Sequence, residues 1–355
     1  MADIAIDDNP PPKPLGTRRR RAPRTPDVPT LLDVAAAAGL STASVSRAIN
    51  RPDTVSSATR LKVGSAVAAL GYVPNDAGRA LASARSRLVG LALPRLDDSH
   101  WDRLIAGIEV PLAAAGYALV VVTGSRLDMA PMVRRLIEHN VEALLFPPCD
   151  GMDEALALAA RHAIVAARIG PVPIEGATIG YDLAAATTNV AAFLHQLGHR
   201  QLLLLAGEPT DRFDQRACAF RTALEALGAC NVVERRLPAH SIAAARAAVA
   251  PFLTAAERPT AIVCSDDPLA IGALWACERE GLGVPHDVSI VGFGDSRAAR
   301  EAEPPLTSLR EPIEEVGRVA AAWVLAQLAG GTAPESVVTA KLIVRGSTGS
   351  APPMD

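Results

Sequence analysis

The chain has 355 residues, of which 49% are hydrophobic, and a formal net charge of −3, so it can form two or three folded domains and is not a polycation. Neither an apolar run of 18 residues nor an N-terminal signal-peptide segment occurs, which argues against a membrane protein or an exported one and predicts a cytoplasmic location. The cysteines form neither a CxxC pair nor a Cys/His ligand spacing, so we expect neither a disulfide nor a metal site; they are Cys149, Cys218, Cys230, Cys264 and Cys277.

Positive charge is concentrated near the N-terminal end. Residues 17–87 hold twelve arginines and lysines against four aspartates, a net charge of +8, which leaves −11 for the rest of the chain. This distribution predicts that the N-terminal end contacts phosphates. Residues 1–28 are rich in proline and charge and are predicted to be a disordered tail. The basic run Arg18–Arg21 is either an arm that adds non-specific DNA affinity or a solvated tail.

Residues 29–74 are predicted to be a helix–turn–helix headpiece. Apolar residues recur at helical spacing before Gly39, which permits a turn that a residue with a Cβ would resist; they are Leu31, Val34, Ala35 and Ala38. Ser41 stands where the N-cap of a second helix, about 42–49, belongs. A third amphipathic helix is expected over 57–70, with Leu61, Val63, Val67 and Leu70 as its apolar residues.

The predicted second helix carries Val45 and Ile49 on one side and small or basic residues on the others. Such a helix fits a DNA major groove, where Arg47 can donate two hydrogen bonds to guanine. The alternative is an ordinary pair of helices in which Ser41 is only a cap and Arg47 only a solvated charge.

From Leu88 onward, short apolar runs alternate with amphipathic helices, which predicts parallel sheets covered on both faces. This much sequence suits two doubly wound subdomains better than one. The strand candidates are 88–93, 117–123, 142–146, 163–169, 201–207, 261–266 and 288–293.

Several motifs in order resemble the lac repressor (LacI/GalR) family: TLLDVAAAAGLS, VSRAIN, VSSATRLKV and LGYVPN, followed by ALA. The resemblance continues over almost all the remaining chain. Within the family, SRLVGLALPRL and HWDRLIAGIE are closest to regulators of gluconate and related sugar acids. The resemblance implies an all-α headpiece and a periplasmic-binding-protein-like α/β core of two doubly wound subdomains.

The implied organisation is a hinge helix and linker at 75–86, a core at 87–348 and a tail at 349–355. The core would divide into an N-terminal subdomain, about 88–181 plus 310–335, and a C-terminal subdomain, about 182–309 plus a last strand near 337–345. Three chain crossings between these subdomains would form a hinge. Ligands in such sheets bind beyond the carboxyl ends of the strands, so the cleft between the subdomains is the expected effector site.

For DNA, the resemblance assigns base reading to Thr42, Ala43 and Arg47, and an apolar minor-groove wedge to Leu81, which would unstack a base step. The resemblance assigns further DNA contacts, which orient the base-reading residues, bind phosphates or lie in the hinge. They are Leu31, Ser41, Ser44, Ser46, Asn50, Thr59, Tyr72, Asn75 and Ala82. Gly78 replaces the usual alanine and weakens the hinge helix. We expect this helix to order only on operator DNA.

For the effector, the predicted contacts follow strand ends and are Arg95, Trp101, Arg168, Arg216, Asp266 and Asp295. Arg216 occupies the place of the family's effector-binding arginine, although Ala219 replaces the glycine of the R-x-x-G-F pattern. Trp101 would stack on a sugar, and convergence of three arginines on one anionic group predicts a sugar acid or a sugar phosphate. Next to Asp295, Gly294 stands where a neutral-sugar site would have a polar group.

The resulting interpretation is a DNA-binding regulator, a homodimer on a pseudo-palindromic operator, without a cofactor. A sugar-binding transport protein is a rival that the core alone would allow. An enzyme on the same core is a second rival, but a Walker loop, a nucleophile elbow and a metal-ligand spacing are all lacking in the sequence.

Overall fold

The computed structural model divides the chain into two compact units, Met1–Ala84 (unit 1) and Arg85–Asp355 (unit 2). The residues that it describes are 28–74, 85–93, 99–124, 129–147, 152–172, 178–207, 212–228, 231–238, 241–331 and 337–353.

Unit 1 contains the three predicted helices, α1 (Leu31–Ala38), α2 (Thr42–Asn50) and α3 (Ser57–Leu70), with a 3₁₀ turn at Pro52–Thr54. Each helix begins at a hydroxyl cap: the side chains of Thr30, Ser41 and Ser56 accept a hydrogen bond from a backbone N–H of the first turn. Gly39 ends α1 with φ +64°, the left-handed conformation that the predicted turn requires.

The core of unit 1 lies where the three helices meet, and consists of Val34, Ala35, Val45, Ala48, Val63 and Ala66. The prediction that Leu61 faces this core is wrong, because its residue is 72% exposed. Leu61 and Val63 are two positions apart on α3, about 200° around the helix axis, so only one of them can face inward.

Unit 2 contains two six-stranded sheets. The first sheet has the order β11-β5-β4-β3-β1-β2 and defines the first lobe. Its strands are β1 (Leu88–Leu93), β2 (Ala118–Thr123), β3 (Ala143–Phe146), β4 (Val165–Val172), β5 (Thr178–Asp182) and β11 (Val337–Val338). The helices packed on it are α4 (Ser99–Ala114), α5 (Ala130–Glu138), α6 (Met152–Arg161) and α12 (Ile313–Leu328).

The second sheet has the order β12-β10-β9-β8-β6-β7 and defines the second lobe. Its strands are β6 (Gln201–Ala206), β7 (Asn231–Arg236), β8 (Ala261–Cys264), β9 (Ser289–Phe293), β10 (Thr307–Arg310) and β12 (Lys341–Ile343). Its helices are α7 (Leu183–Gln196), α8 (Arg212–Ala226), α9 (Ile242–Leu253), α10 (Asp267–Arg279) and α11 (Arg297–Glu301).

All strand pairs are parallel except β10 with β12, which is antiparallel. The chain passes between the sheets after β5, after β10 and between β11 and β12, so three segments connect the lobes. The single last strand expected near 337–345 is instead two short strands, and β11 belongs to the first sheet, not the second. This architecture confirms the predicted fold class.

Close backbone packing joins α4 to α12 in the first lobe. A Cβ at Gly107 would lie 2.2 Å from the carbonyl oxygen of Glu314, and one at Gly317 would lie 2.6 Å from the carbonyl oxygen of Leu104. Since a larger residue would force these helices apart, the two glycines allow the close approach of α4 and α12.

In the described part of the chain, no helix is long and apolar enough to cross a membrane, and no three His, Cys, Asp or Glu side chains form a metal-binding group. Cys264 and Cys277 are buried free thiols and Cys218 is a partly buried one, whereas Cys149 and Cys230 lie outside the described residues.

Candidate functional site

The first candidate site is the exposed face of α2 in unit 1. Thr42, Ala43 and Arg47 are exposed, while Val45 and Ala48 point into the three-helix core. Arg47 donates from Nε to the carbonyl oxygen of Ala43 at 3.3 Å, and its two terminal nitrogens have no hydrogen bond within the described residues. The guanidinium is therefore held along the helix with its paired donors directed to solvent.

Hydroxyl groups surround this face. The Ser41 and Ser44 hydroxyls are 2.9 Å apart, and Asn50 donates from Nδ2 to the Ser46 hydroxyl at 3.2 Å. Thr59 lies in the first turn of α3 with its hydroxyl 2.9 Å from that of Ser56. Two predicted contacts, Leu31 and Tyr72, are half-buried and pack against the core of unit 1.

The predicted hinge residues Asn75, Gly78, Leu81 and Ala82 lie outside the part of the chain that the structure describes. Arg95 lies outside it as well.

The second candidate site lies in unit 2 around Glu311, which follows β10 and is 2% exposed. Its carboxylate pairs with Nη2 of Arg216, a residue of α8 that is 3% exposed. The same guanidinium donates from Nη1 to the carbonyl oxygen of Ser265 at 3.1 Å and stacks on Phe293, with Cζ 4.0 Å from the ring centre. Arg216 is thus fixed by an ion pair, a hydrogen bond and a cation–π contact.

Residues of the first lobe reach the same carboxylate. Tyr181, at the end of β5, donates its hydroxyl to Oε1 of Glu311, and His100 of α4 places Nδ1 3.1 Å from Oε2. Arg103 donates to the backbone oxygens of Glu311 at 2.8 Å and Gly294 at 3.2 Å. These contacts bring strand ends of both sheets together; we call His100, Tyr181, Arg216 and Glu311 the strand-end cluster.

Beside the strand-end cluster, the hydroxyl of Ser265 is fully buried without a hydrogen-bond partner in the described part of the chain. Because a buried hydroxyl without a partner costs free energy, a ligand or a water molecule near Arg216 would stabilise this position.

Trp101 and Asp266 both have structural contacts at this place. Trp101 lies in the first turn of α4, is 6% exposed, belongs to the large core cluster and contacts the ring of His100 edge-on. Asp266 follows β8, is 4% exposed and caps α10 by accepting from the N–H of Leu269 at 2.9 Å. Asp266 lies just after a strand and Trp101 at the start of the helix that follows β1, as the sequence indicated, but Trp101 has little free ring surface for stacking on a sugar.

Arg168 lies within β4, opposite Phe146, the last residue of β3, and opposite Thr178, the first residue of β5. It is half-buried, and no carboxylate within the described residues pairs with it.

Asp295 follows β9, where the sequence placed it, but its carboxylate faces arginines of the second lobe. Its residue is fully buried, and its carboxylate is occupied by the side chains of Arg300, Arg310 and Arg345. With both oxygens engaged, it has little capacity to accept hydrogen bonds from an effector.

Asp267, the first residue of α10, is 1% exposed. It accepts from the N–H of Ser296 at 2.6 Å and from the hydroxyl of Ser308 at 2.7 Å, so it ties the loop after β9 to β10. Desolvation by burial raises the pKa of this carboxyl from 3.8 to about 6, against the opposing effect of these hydrogen bonds.

We expect Asp267→Asn to change the pH dependence of stability. Because the folded-state pKa exceeds the unfolded one, this carboxyl favours folding fully below pH 3.8, and the contribution is lost as the pH rises through about 6. The free energy of unfolding, measured in urea from pH 4 to 7.5, should therefore fall more steeply with rising pH in the wild type than in the variant.

Burial lowers the pKa of His199, which acts in the opposite direction: its contribution is present above pH 6.5 and lost at lower pH. Since His199 is unchanged in the variant, its effect cancels in the comparison with the wild type. Parallel pH profiles for the two proteins would contradict the role given to Asp267.

Sequence reasoning missed Glu311, His100, Arg103 and Tyr181. The signal for Glu311 is its position directly after a strand, but β10 (TSLR) is short and mostly polar and did not meet the criterion of a continuous apolar run. Tyr181 was missed for a similar reason, because β5 (TIGYD) contains a glycine and ends in a charge.

Comparison with known proteins gives matches over nearly the whole chain. The profile "Bacterial regulatory proteins, lacI family" matches residues 30–75, and "Periplasmic binding protein-like domain" matches residues 191–348. The HTH-type transcriptional repressor CytR of Escherichia coli (strain K12) is 30% identical over 338 residues, which cover 91% of this chain and 97% of CytR.

Two solved structures have the same architecture. A crystal structure of the lac repressor dimer bound to operator and the anti-inducer ONPF matches with a TM-score of 0.82 and 27% identity, covering 91% of this chain and 99% of the repressor chain. A complex of the transcriptional regulator CelR with cellobiose matches with a TM-score of 0.62 and 27% identity, covering 90% of this chain and 99% of CelR.

Proposed function

The chain belongs to the LacI family of bacterial regulatory proteins, and we propose that it represses transcription as a homodimer whose operator affinity is set by a small molecule bound in unit 2. Its relatives are transcriptional regulators and not enzymes. We further propose that it acts in the cytoplasm, at the nucleoid.

The observation that carries the DNA-binding proposal is the exposed face of α2. Its small residues, Thr42 and Ala43, permit close approach to base edges, and Arg47 supplies the paired donors that match guanine. Among the described residues of unit 1, four basic side chains outnumber two acidic ones; the basic ones are Arg47, Arg51, Arg60 and Lys62.

Hydroxyls at the starts of α2 and α3 are proposed to bind phosphates, because helix N-termini favour anions. Segment 75–86 is proposed as the hinge, with Leu81 as the minor-groove wedge and Asn75 and Ala82 beside it.

A dimer is proposed because one short recognition helix contacts only a few base pairs, so useful specificity needs two copies on a pseudo-palindrome. Trp275 on α10 is 45% exposed, and such a large apolar side chain at the surface suits a subunit interface.

We expect Trp275→Lys to shift the protein from dimer to monomer in sedimentation velocity and to weaken operator binding, because a charge would replace buried apolar area. Val233→Lys is the matched control, since Val233 is 44% exposed on the edge strand β7. A wild-type protein that sediments as a monomer at micromolar concentration would contradict the dimer proposal.

The effector is proposed to bind beside the strand-end cluster. The structure corrects one element of the sequence interpretation: Arg216 does not present a free positive charge, because Glu311 neutralises it. Arg216 and Glu311 together offer alternating donors and acceptors, the arrangement that suits neighbouring hydroxyls of a polyol.

Arg168 supports an anionic effector, such as gluconate or a sugar phosphate. It is a half-buried cation beside the carboxyl end of β3, and no acid in the described residues neutralises it. A carboxylate or phosphate on the effector would supply that charge, while the hydroxyls face the strand-end cluster and Asp266. The related CelR binds the neutral sugar cellobiose, so the anionic group is the feature to test.

A thermal-shift screen tests this assignment with gluconate, glucose 6-phosphate, glucose and cellobiose. We expect an anionic sugar to raise the melting temperature. In Arg168→Gln, the sugar concentration needed for the same rise should be at least tenfold higher. Arg161→Gln is the matched control, because Arg161 is an exposed arginine at the end of α6. Stabilisation by neutral sugars alone would contradict the anionic effector and leave the regulator proposal standing.

A further inference from the structure

A cluster of arginines surrounds Asp295 on the second lobe. Arg345 donates from Nη2 to Oδ1 at 2.6 Å, and Arg310 donates from Nε to Oδ2 at 2.6 Å. Arg300 places Nη1 3.5 Å from the same Oδ2 and 3.1 Å from the backbone oxygen of Asp295. We call Arg300, Arg310 and Arg345 the arginine cluster.

The arginine cluster carries more positive charge than Asp295 needs. One carboxylate against three guanidinium groups leaves a net charge of +2. Lys341 stands opposite Arg310 in the register of β10 and β12 and adds a further cation. The acids nearby do not cancel this excess: Glu301 pairs with Arg297 at 2.7 Å, and the Asp267 carboxyl is buried against Ser308.

Two of the three guanidinium groups are accessible. The side chains of Arg300 and Arg310 are 48% and 45% exposed, whereas that of Arg345 is 17% exposed. Arg310 uses only Nε and Arg300 only Nη1 for the bonds to Asp295, so their remaining nitrogens have no partner within the described residues. Because both groups contact the same oxygen, their remaining donors are held close together.

We propose that Arg300 and Arg310 form a binding site for a phosphoryl group, with Asp295 and Arg345 as positioning residues. A phosphate monoester carries a charge of about −1.5 to −2 at neutral pH, which matches the excess of +2, and its oxygens match the paired donors of guanidinium groups. The carboxylate of Asp295 orients both arginines before the ligand arrives, which lowers the entropy cost of binding.

This site is distinct from the strand-end cluster but adjoins it along the chain. Arg310 immediately precedes Glu311, and Asp295 immediately follows Gly294, whose carbonyl oxygen accepts from Arg103 of the first lobe. A bound phosphoryl group therefore acts on the two segments of the second lobe that contact α4, and it provides a second ligand input beside the effector.

Isothermal titration of the full chain with inorganic phosphate and with glucose 6-phosphate, at constant ionic strength in chloride, tests the proposal. We expect saturable binding that is weakened at least tenfold in Arg310→Gln and in Arg300→Gln. Arg297→Gln is the matched control, because Arg297 lies on α11 beside Arg300 but pairs with Glu301 and not with Asp295. Arg300→Gln removes the longest contact to Asp295, so it separates loss of binding from loss of folding.

Equal affinity for the two probes would identify free phosphate as a sufficient ligand, and tighter binding of the ester would identify a phosphorylated metabolite; both support the site. Absence of saturable binding would overturn the proposal. Binding that is equally strong in Arg310→Gln and Arg297→Gln would overturn it as well, because the phosphoryl group would then be held elsewhere.

Discussion

Replacement of Arg216 by methionine is expected to lower the free energy of unfolding of the chain by about 3 kcal/mol, because it leaves the Glu311 carboxylate buried without its main counter-charge. The side chains of Arg216 and Glu311 are only 4% and 1% exposed, so water cannot compensate. His100 and Tyr181 remain as partners of the carboxylate, which limits the loss to the lower end of the range for broken buried pairs. Urea unfolding followed by circular dichroism measures the effect.

The control for this variant is Arg221→Met on the same helix. Arg221 pairs with Glu234 at 2.9 Å but is 40% exposed, so its loss should cost no more than about 1 kcal/mol. The double variant Arg216→Met/Glu311→Gln should be more stable than Arg216→Met alone, because the amide removes the uncompensated charge. Equal destabilisation by Arg216→Met and Arg221→Met would show that the buried Arg216–Glu311 pair contributes no more to stability than an exposed ion pair.

Replacement of Arg47 by alanine is expected to cost about 1–3 kcal/mol of operator affinity, or roughly 5- to 150-fold in Kd, because a paired contact to guanine is lost. The lost affinity should belong to one base pair of each half-site. An operator in which that base pair is changed should therefore bind the wild type and the variant with equal affinity. Fluorescence anisotropy with labelled operator and substituted duplexes measures this.

Arg51→Ala provides the comparison, because Arg51 is also exposed and follows α2 immediately but lies beyond its groove-facing residues. Its loss should weaken all duplexes uniformly and lower the salt dependence of binding by about one counterion. If Arg47→Ala also weakens operator and random duplex by the same factor, Arg47 contacts a phosphate and not a base.

The headpiece could be predicted from sequence almost residue by residue because its signals are local. Gly39 ends α1 in a left-handed conformation and Ser41 caps α2, both through contacts with residues fewer than five positions away. Leu61 was misplaced because apolar character alone does not say which of two residues, 200° apart on a helix, faces the core.

The sheets of unit 2 could be predicted where strands are buried on both faces and read as apolar runs, as in β1, β3, β6, β8 and β9. The edge strand β7 alternates exposed and half-buried residues, and β11 has two residues, so neither gives that signal. The sequence also could not show that the last strand divides between two sheets, because this division depends on long-range pairing.

The effector site shows the same limit. Arg216 and Asp266 were found because they follow strands that could be recognised: Asp266 lies just after β8, and Arg216 lies on α8, the helix that follows β6. Glu311 contacts Arg216 across 95 positions of sequence, and Tyr181 reaches Glu311 across 130. A sequence shows which residues carry charge but not which charges neutralise each other, so three arginines suggested one anion site where the structure pairs Arg216 with a buried acid.

The proposed function depends on sequence-specific DNA binding that responds to a ligand of unit 2. Anisotropy titration of the purified protein with its own promoter fragment and with random duplex, at 150 mM salt and with each candidate effector, tests this directly. We expect the protein to bind the promoter fragment at least about a thousandfold more tightly than random duplex in one ligand condition, and the ratio of the two affinities to change when an effector is added. Equal affinity for both duplexes under every condition would contradict it.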